Sequence, residues 1–290
     1  MGTNLSENGS NGLVMGMEHC WLLILLGLLV GTLGTLIGAG GGFILLPVLL
    51  LLYPSDSPET LTSISLAVVF FNALSGSCAY MAMKRIDYRS GLLFAAATIP
   101  GAIAGAWTTD FIPRQAFNGI FGLLMILASA YLFLHRSEKD GAEDGPRQRS
   151  TLRHIIDHNG TEHRFSYDLR LGMGLSLGVG YVSSLLGIGG GIIHVPALVR
   201  LLNFPVHIAT ATSHFILAIM ALTGTLVHIA NGSFTHGGVQ QTLLLGIGVL
   251  LGAQAGARLS TRVHGIWIIR SLALALGFVG IRILMMALKV

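Results

Sequence analysis

Gly38-Ala39-Gly40-Gly41-Gly42-Phe43-Ile44-Leu45-Leu46-Pro47 returns, 149 positions on, as Gly187-Ile188-Gly189-Gly190-Gly191-Ile192-Ile193-His194-Val195-Pro196. The correspondence continues downstream. Thr62-Ser63-Ile64-Ser65 meets Thr210-Ala211-Thr212-Ser213, Ser75-Gly76 meets Thr223-Gly224, and Gly101-Ala102-Ile103-Ala104-Gly105 meets Gly252-Ala253-Gln254-Ala255-Gly256. The chain thus reads as two homologous halves, 20–135 and 169–290, joined by a charged linker, 136–168, and preceded by a polar tail, 1–19. In each half the glycine cluster ends one apolar run (20–37, 171–187) and opens a much shorter one (43–53, 192–203). At 1.5 Å per residue the short runs rise roughly 16 to 18 Å, about half of a bilayer's hydrocarbon thickness.

The rest of the chain gives those runs their setting. Of 290 residues, 52% are hydrophobic and 10% charged, and mean hydropathy is +0.73. A soluble surface needs about a quarter of its residues charged. Apolar runs of spanning length cover 61–83, 90–109, 116–135, 208–230, 239–257 and 265–288. The expected fold is therefore all-α, a polytopic transmembrane bundle with a Gly/Pro-broken half-helix in each repeat. The 39 glycines follow no Gly-X-Y period, which excludes collagen and suits closely packed membrane helices. Cys20 and Cys78 lie in apolar runs and make neither a disulfide framework nor a zinc site. In such a chain a net charge of +4 does not point to nucleic acid.

Basic residues set the orientation. Lys84, Arg85 and Arg89 place the loop after 61–83 in the cytoplasm, whereas its repeat equivalent, 231–237, carries no Lys or Arg. Arg258 and Arg262 mark a second cytoplasmic loop whose first-half equivalent offers only Arg114. The halves are then inverted, as an odd number of segments per half produces, with the linker inside and both termini outside. The tail lacks a basic n-region, so Cys20 onward is expected to be a mature helix rather than a cleaved signal.

Inverted repeats with short, interrupted segments at matching positions are the pattern of a secondary transporter, whose broken helices expose their N-termini near the midplane. Free amides there favour an anion. Gly40, Gly41, Gly42 and Gly189, Gly190, Gly191 supply backbone able to turn sharply beside a ligand, while Ser65, Thr210, Ser213 and His214 supply side chains. The Gly-x-x-x-Gly pairs 101/105 and 252/256 read instead as helix-packing faces. No Asp or Glu lies within a span, which argues against a cation carrier and leaves no metal site. His194, His214 and His228 are the intramembrane histidines and the candidates for proton coupling; His19, His135, His154, His158, His163, His207, His236 and His264 fall in the linker or near span ends. The expected partners are a small anion and the bilayer, with no nucleic acid, and self-association is left open.

Enzyme readings fail on chemistry. Gly38 to Gly42 lacks the Gly-Lys-Ser/Thr ending of a phosphate loop, and Ser213-His214 point about 100° apart on a helix, which is no catalytic dyad. No cofactor or ATP-binding module is expected.

The motif Gly-Gly-Gly-Phe-Ile-x-x-Pro at 40–47, its copy Gly-Gly-Gly-Ile-Ile-x-x-Pro at 189–196, and the Thr-Ser/Ala-x-Ser steps at 62 and 210 resemble the TauE/SafE sulfite exporter family of bacterial membrane proteins. The resemblance implies a bacterial cytoplasmic-membrane protein of about eight spans that exports sulfite or small organosulfur anions such as sulfoacetate. An importer of a sulfur oxyanion or organic anion has the same architecture, and a receptor or channel is a third reading. The linker is longer than the family leads one to expect.

Overall fold

The computed structural model describes residues 17–134, 151–158, 160–234, 238–260 and 266–288. The tail through residue 16, the first part of the linker, and His135, His236, Arg262 and His264 lie outside the described residues. The first half contributes α1 (Met17–Ile37), α2 (Gly42–Leu52), α3 (Pro58–Ala82), α4 (Tyr88–Thr109) and α5 (Arg114–Leu134), and the second α6 (Leu169–Leu186), α7 (Gly191–Leu201), α8 (Val206–Ala230), α9 (Gly238–Leu259) and α10 (Ile266–Leu288). Among the described residues six helices, α1, α3, α4, α6, α8 and α9, are long and apolar enough to cross a membrane. The remaining long runs form α5 and α10, of 21 and 23 residues. The two short runs form α2 and α7, of 11 residues each.

Local chemistry starts each helix. Ser57 caps α3 by accepting from the Thr60 amide at 3.2 Å, with Pro58 in the first turn where its missing N–H costs nothing. Asp87 and Asp168 cap α4 and α6 in the same way. The half-helices differ: Gly41 (φ 79°) and Gly190 (φ 57°) are their N-caps, in the left-handed region and with no side chain to accept from the first turn. At the far end of α2, the Arg114 guanidinium donates to the carbonyls of Leu50, Tyr53 and Asp56, placing a cation on a helix C-terminus.

The contacts between halves come in matched pairs. α1 packs on α9 and α6 on α4; α3 packs on α9 and α8 on α4; α3 meets α8, and α5 meets α10. α3 runs antiparallel to α8, and α5 to α10. Gly76 faces His214 while Leu66 faces Gly224, and Gln115 donates to the Ala287 carbonyl while Ser129 donates to that of Ala273. The packing role of the Gly-x-x-x-Gly pairs is borne out. A Cβ at Gly252 or Gly256 would press into the Leu28 or Thr32 carbonyl of α1, and one at Gly101 or Gly105 into the Leu177 or Tyr181 carbonyl of α6.

The linker is more than a charged connector. Residues 151–156 (β1) and 162–167 (β2) form an antiparallel hairpin, with Thr151 opposite Tyr167 and Ile156 opposite Glu162. Phe165 and Tyr167 are buried against Phe94, Leu202 and Phe204, where the Phe165 and Phe204 ring centroids are 4.4 Å apart. Arg153 holds both carboxylate oxygens of Asp87, the N-cap of α4. Ser90 Oγ donates to Asp87 at 2.5 Å, which leaves the Tyr167 hydroxyl to donate to Ser90 at 2.6 Å. The bond to Asp87 holds the Arg153 guanidinium above its ordinary range, and partial burial raises the Tyr167 phenol. Three further residues that the sequence places in solvated breaks are thus occupied: Arg85 faces Asp157 at 3.8 Å, His163 faces the same carboxylate at 3.7 Å, and Asp87 is 1% exposed.

Candidate functional site

The two glycine clusters cross at the centre of the bundle, backbone against backbone. A Cβ on Gly42 would sit 2.8 Å from the Gly187 carbonyl oxygen, and one on Gly191 2.5 Å from the Ala39 Cα. Gly38 (φ 81°) rests on Thr210 and Gly187 (φ 63°) on Thr62, so each cluster is cradled by the threonine step of the other half. Gly40, Gly41, Gly189 and Gly190 all have positive φ. Their Cβ positions run into Leu217, Val30, Val69 and Ser183 respectively. These glycines are therefore required by conformation and by packing before any ligand is considered. The consequence is that the N-termini of α2 and α7, on which the dipole places partial positive charge, stand beside each other in the interior.

Around the crossing, the sequence-derived residues fall into three places. His214 is fully buried, with Nε2 3.3 Å from Thr35 Oγ1; Thr35 donates to Asn72 Oδ1 at 3.0 Å, and the Tyr80 hydroxyl donates to the Thr35 carbonyl at 2.9 Å. The Tyr80 ring meets the His214 ring edge-on at 5.5 Å. Ser65 donates to the Gly187 carbonyl at 2.6 Å, tying α3 to the opposite cluster. His194, by contrast, pairs with Ser176 at 3.2 Å beside Phe94, and His228 sits 14 residues beyond His214 on α8, roughly 21 Å along its axis, with Nδ1 3.3 Å from Ser233 Oγ. The three histidines do not form one relay.

Several buried polar atoms around the crossing have no hydrogen-bond partner among the described residues: Thr62 Oγ1, Asn72 Nδ2, Ser184 Oγ, Ser213 Oγ and His214 Nδ1. Such atoms are costly in a folded protein unless something else satisfies them. Proton bookkeeping narrows the role of His214. With the Asn72 amide oriented so that its oxygen faces Thr35, the Thr35 hydrogen is committed, so His214 Nε2 carries the hydrogen toward Thr35.

The cradle is built twice and furnished unequally. Gly76 faces His214 and Thr35; its equivalent Gly224 faces Leu66 and Ser184. Repeat alignment pairs Asn72 with Met220 and Tyr80 with His228. The polar set Thr35, Asn72, Tyr80 and His214 thus has Ser184, Met220, His228 and Leu66 as its image, in which Asn72 and His214 are answered by apolar side chains. Sequence reasoning had His214 but not Thr35, Asn72 or Tyr80 as its companions. The signal was present in the register: the same offset that aligns the glycines sets Thr35 against Ser184, and each of these precedes its glycine cluster by three residues.

Known proteins supply a family. The family described as Sulfite exporter TauE/SafE matches residues 23–283. The chain is similar to the probable membrane transporter protein YunE of Bacillus subtilis, 32% identical over 269 residues that cover 91% of this chain and 96% of that one. It is also similar to a probable membrane transporter protein of Methanocaldococcus jannaschii (22% identical, 91% and 95% covered) and to one of Xylella fastidiosa (27% identical, 83% and 88% covered). No solved structure matches.

Proposed function

The chain belongs to the TauE/SafE sulfite exporter family and is a multi-pass membrane transporter; from that premise we propose that it exports sulfite or a short organosulfur anion by alternating access at the crossing of α2 and α7. The observation that carries the proposal is the set of buried, unpartnered polar atoms gathered where two half-helix N-termini meet. Sulfite has three acceptor oxygens, a demand that first-turn amides, the Asn72 amide and the Thr62 and Ser213 hydroxyls match in kind. No Lys or Arg stands among these groups, and a site without one suits release as well as binding. His214 is the side chain at which a proton would join the anion.

The antiparallel run of α3 against α8 and of α5 against α10 supports the inverted-repeat reading, in which the halves rock against each other about a central site. The basic loop at Lys84, Arg85 and Arg89 then faces the cytoplasm, with both termini outside. With the inside negative, export of an anion is assisted by about 2.3 kcal/mol per charge per 100 mV. An importer shares this architecture, and vesicles of known orientation separate the two directions. The binding test is thermal stability of the purified protein with sulfite, thiosulfate, sulfoacetate, taurine and sulfate. The proposal expects sulfite or sulfoacetate to stabilise most; a shift only with the zwitterion taurine would contradict an anion site.

A further inference from the structure

Three side chains distant in sequence converge at one end of the bundle: Glu59 in the first turn of α3, Asp110 at the end of α4, and His228 near the end of α8. One ligand atom from each lies within 4.8 Å of the other two. The three belong to different helices and to both halves, so no run of sequence announces them.

The burial gradient is that of a cation site with an entrance. His228 is fully buried, its Nδ1 3.3 Å from the Ser233 hydroxyl and its Nε2 without a hydrogen-bond partner among the described residues. Glu59 is half-buried and Asp110 exposed, so the carboxylates reach solvent while the imidazole closes the inner side. Asn231 donates to one Asp110 oxygen, an outer contact that orients a ligating carboxylate, as Ser233 orients the ring. Partial desolvation and the charge of Glu59 raise the Asp110 carboxyl above its ordinary range, against the Asn231 hydrogen bond. Among the described residues neither carboxylate forms a salt bridge.

We propose that Glu59, Asp110 and His228 bind a divalent transition-metal cation of the zinc type. An imidazole with two carboxylates suits zinc over calcium or magnesium, and three protein ligands leave a fourth position for water. Tetrahedral bonds of about 2.1 Å set ligand atoms roughly 3.4 Å apart, so a shift of about an ångström by the two accessible carboxylate side chains closes the present spacing. The cation lies away from the crossing of α2 and α7 and is not cargo. It fastens the end of α8 in the second half to the ends of α3 and α4 in the first, on the face that the topology places outside, and so favours the arrangement in which that face is closed.

The test is zinc binding by the purified, metal-stripped full chain, by calorimetry and by thermal stability, with magnesium and calcium as comparisons. The expected result is one zinc per chain at micromolar concentration, a rise in melting temperature that magnesium and calcium do not give, and at least a tenfold loss of affinity in His228→Gln and in Asp110→Asn. Asp110 is exposed, so its variant keeps the inference testable if His228→Gln fails to fold. Absence of zinc binding by the unaltered chain, or equal binding by a folded Asp110→Asn variant, overturns the inference. Either failure leaves the anion site intact, because that site is tested by anion binding without metal.

Discussion

Replacing Arg153 with Met removes the guanidinium that holds Asp87 and keeps most of the aliphatic stem. In the folded chain Asp87's side chain is fully buried and Arg153's is 19% exposed, with both carboxylate oxygens engaged. A fully buried ion pair broken from one side costs about 3 to 5 kcal/mol, and an exposed pair about 0 to 1. Asp87 keeps its bonds from the Ser90 hydroxyl and amide, and Arg153 is partly hydrated, so the expected cost lies between, at about 2 to 3 kcal/mol. The loss should fall on hairpin docking rather than on the bundle, where Phe165 and Tyr167 in their apolar pocket and Asp157 beside Arg85 remain as the hairpin's other attachments. At 1.4 kcal/mol per decade, amides of 151–167 should exchange about 30- to 140-fold faster while α3 and α8 keep their protection. Hydrogen exchange read by mass spectrometry resolves this. Arg164→Met is the control: Arg164 and its partner Glu162 are 72% and 52% exposed, and their loss should change exchange by less than about threefold. Unchanged exchange across the hairpin in Arg153→Met would show that the clasp does not hold the linker to the membrane domain.

Gly174 and Gly178 on α6 have open space at their Cβ positions, so Gly174→Ala should leave melting temperature unchanged or raise it slightly, whereas Gly252→Ala, forced against the Leu28 carbonyl, should lower it or prevent folding. Asn72→Leu should abolish anion-dependent stabilisation while the protein still purifies folded; retention of that stabilisation would remove Asn72 from the site. His214→Gln keeps a polar group against Thr35 but takes no proton, so the pH dependence of transport should flatten; an unaltered profile with transport intact would assign His214 to packing. A cysteine at Gly232 should label from outside intact cells and one at Lys84 only after permeabilisation; external labelling at Lys84 would end the inverted-repeat reading.

The helices were legible because bilayer-spanning runs announce themselves: 90–109 became 88–109, and even the short runs at 43–53 and 192–203 became 42–52 and 191–201. The repeat offset also gave the crossing, since matching breaks at Gly40–Gly42 and Gly189–Gly191 imply matching half-helices. What stayed hidden depends on contacts between distant segments. The hairpin is hard to read because β1 alternates over only six residues, and its inward face is completed by Phe94 and Phe204 from two other elements. Glu59, Asp110 and His228 are each ordinary in sequence, two helix-end carboxylates and an interior histidine, and only the fold brings them together. The glycines show the opposite difficulty. Their pattern is conspicuous, yet at Gly41 or Gly190 a bulky substitution would strain the backbone and strike Val30 or Ser183, so it reports packing as much as binding.

The central claim is that the crossing of α2 and α7 carries a small sulfur oxyanion across the membrane. Efflux from vesicles loaded with sulfite or sulfoacetate and bearing the purified protein tests it most directly. Efflux well above that of protein-free vesicles is expected, lost in Asn72→Leu and retained in Arg164→Met. Efflux of both anions no faster than from protein-free vesicles, while an amino acid or a metal cation does move, would contradict the assignment of the cargo.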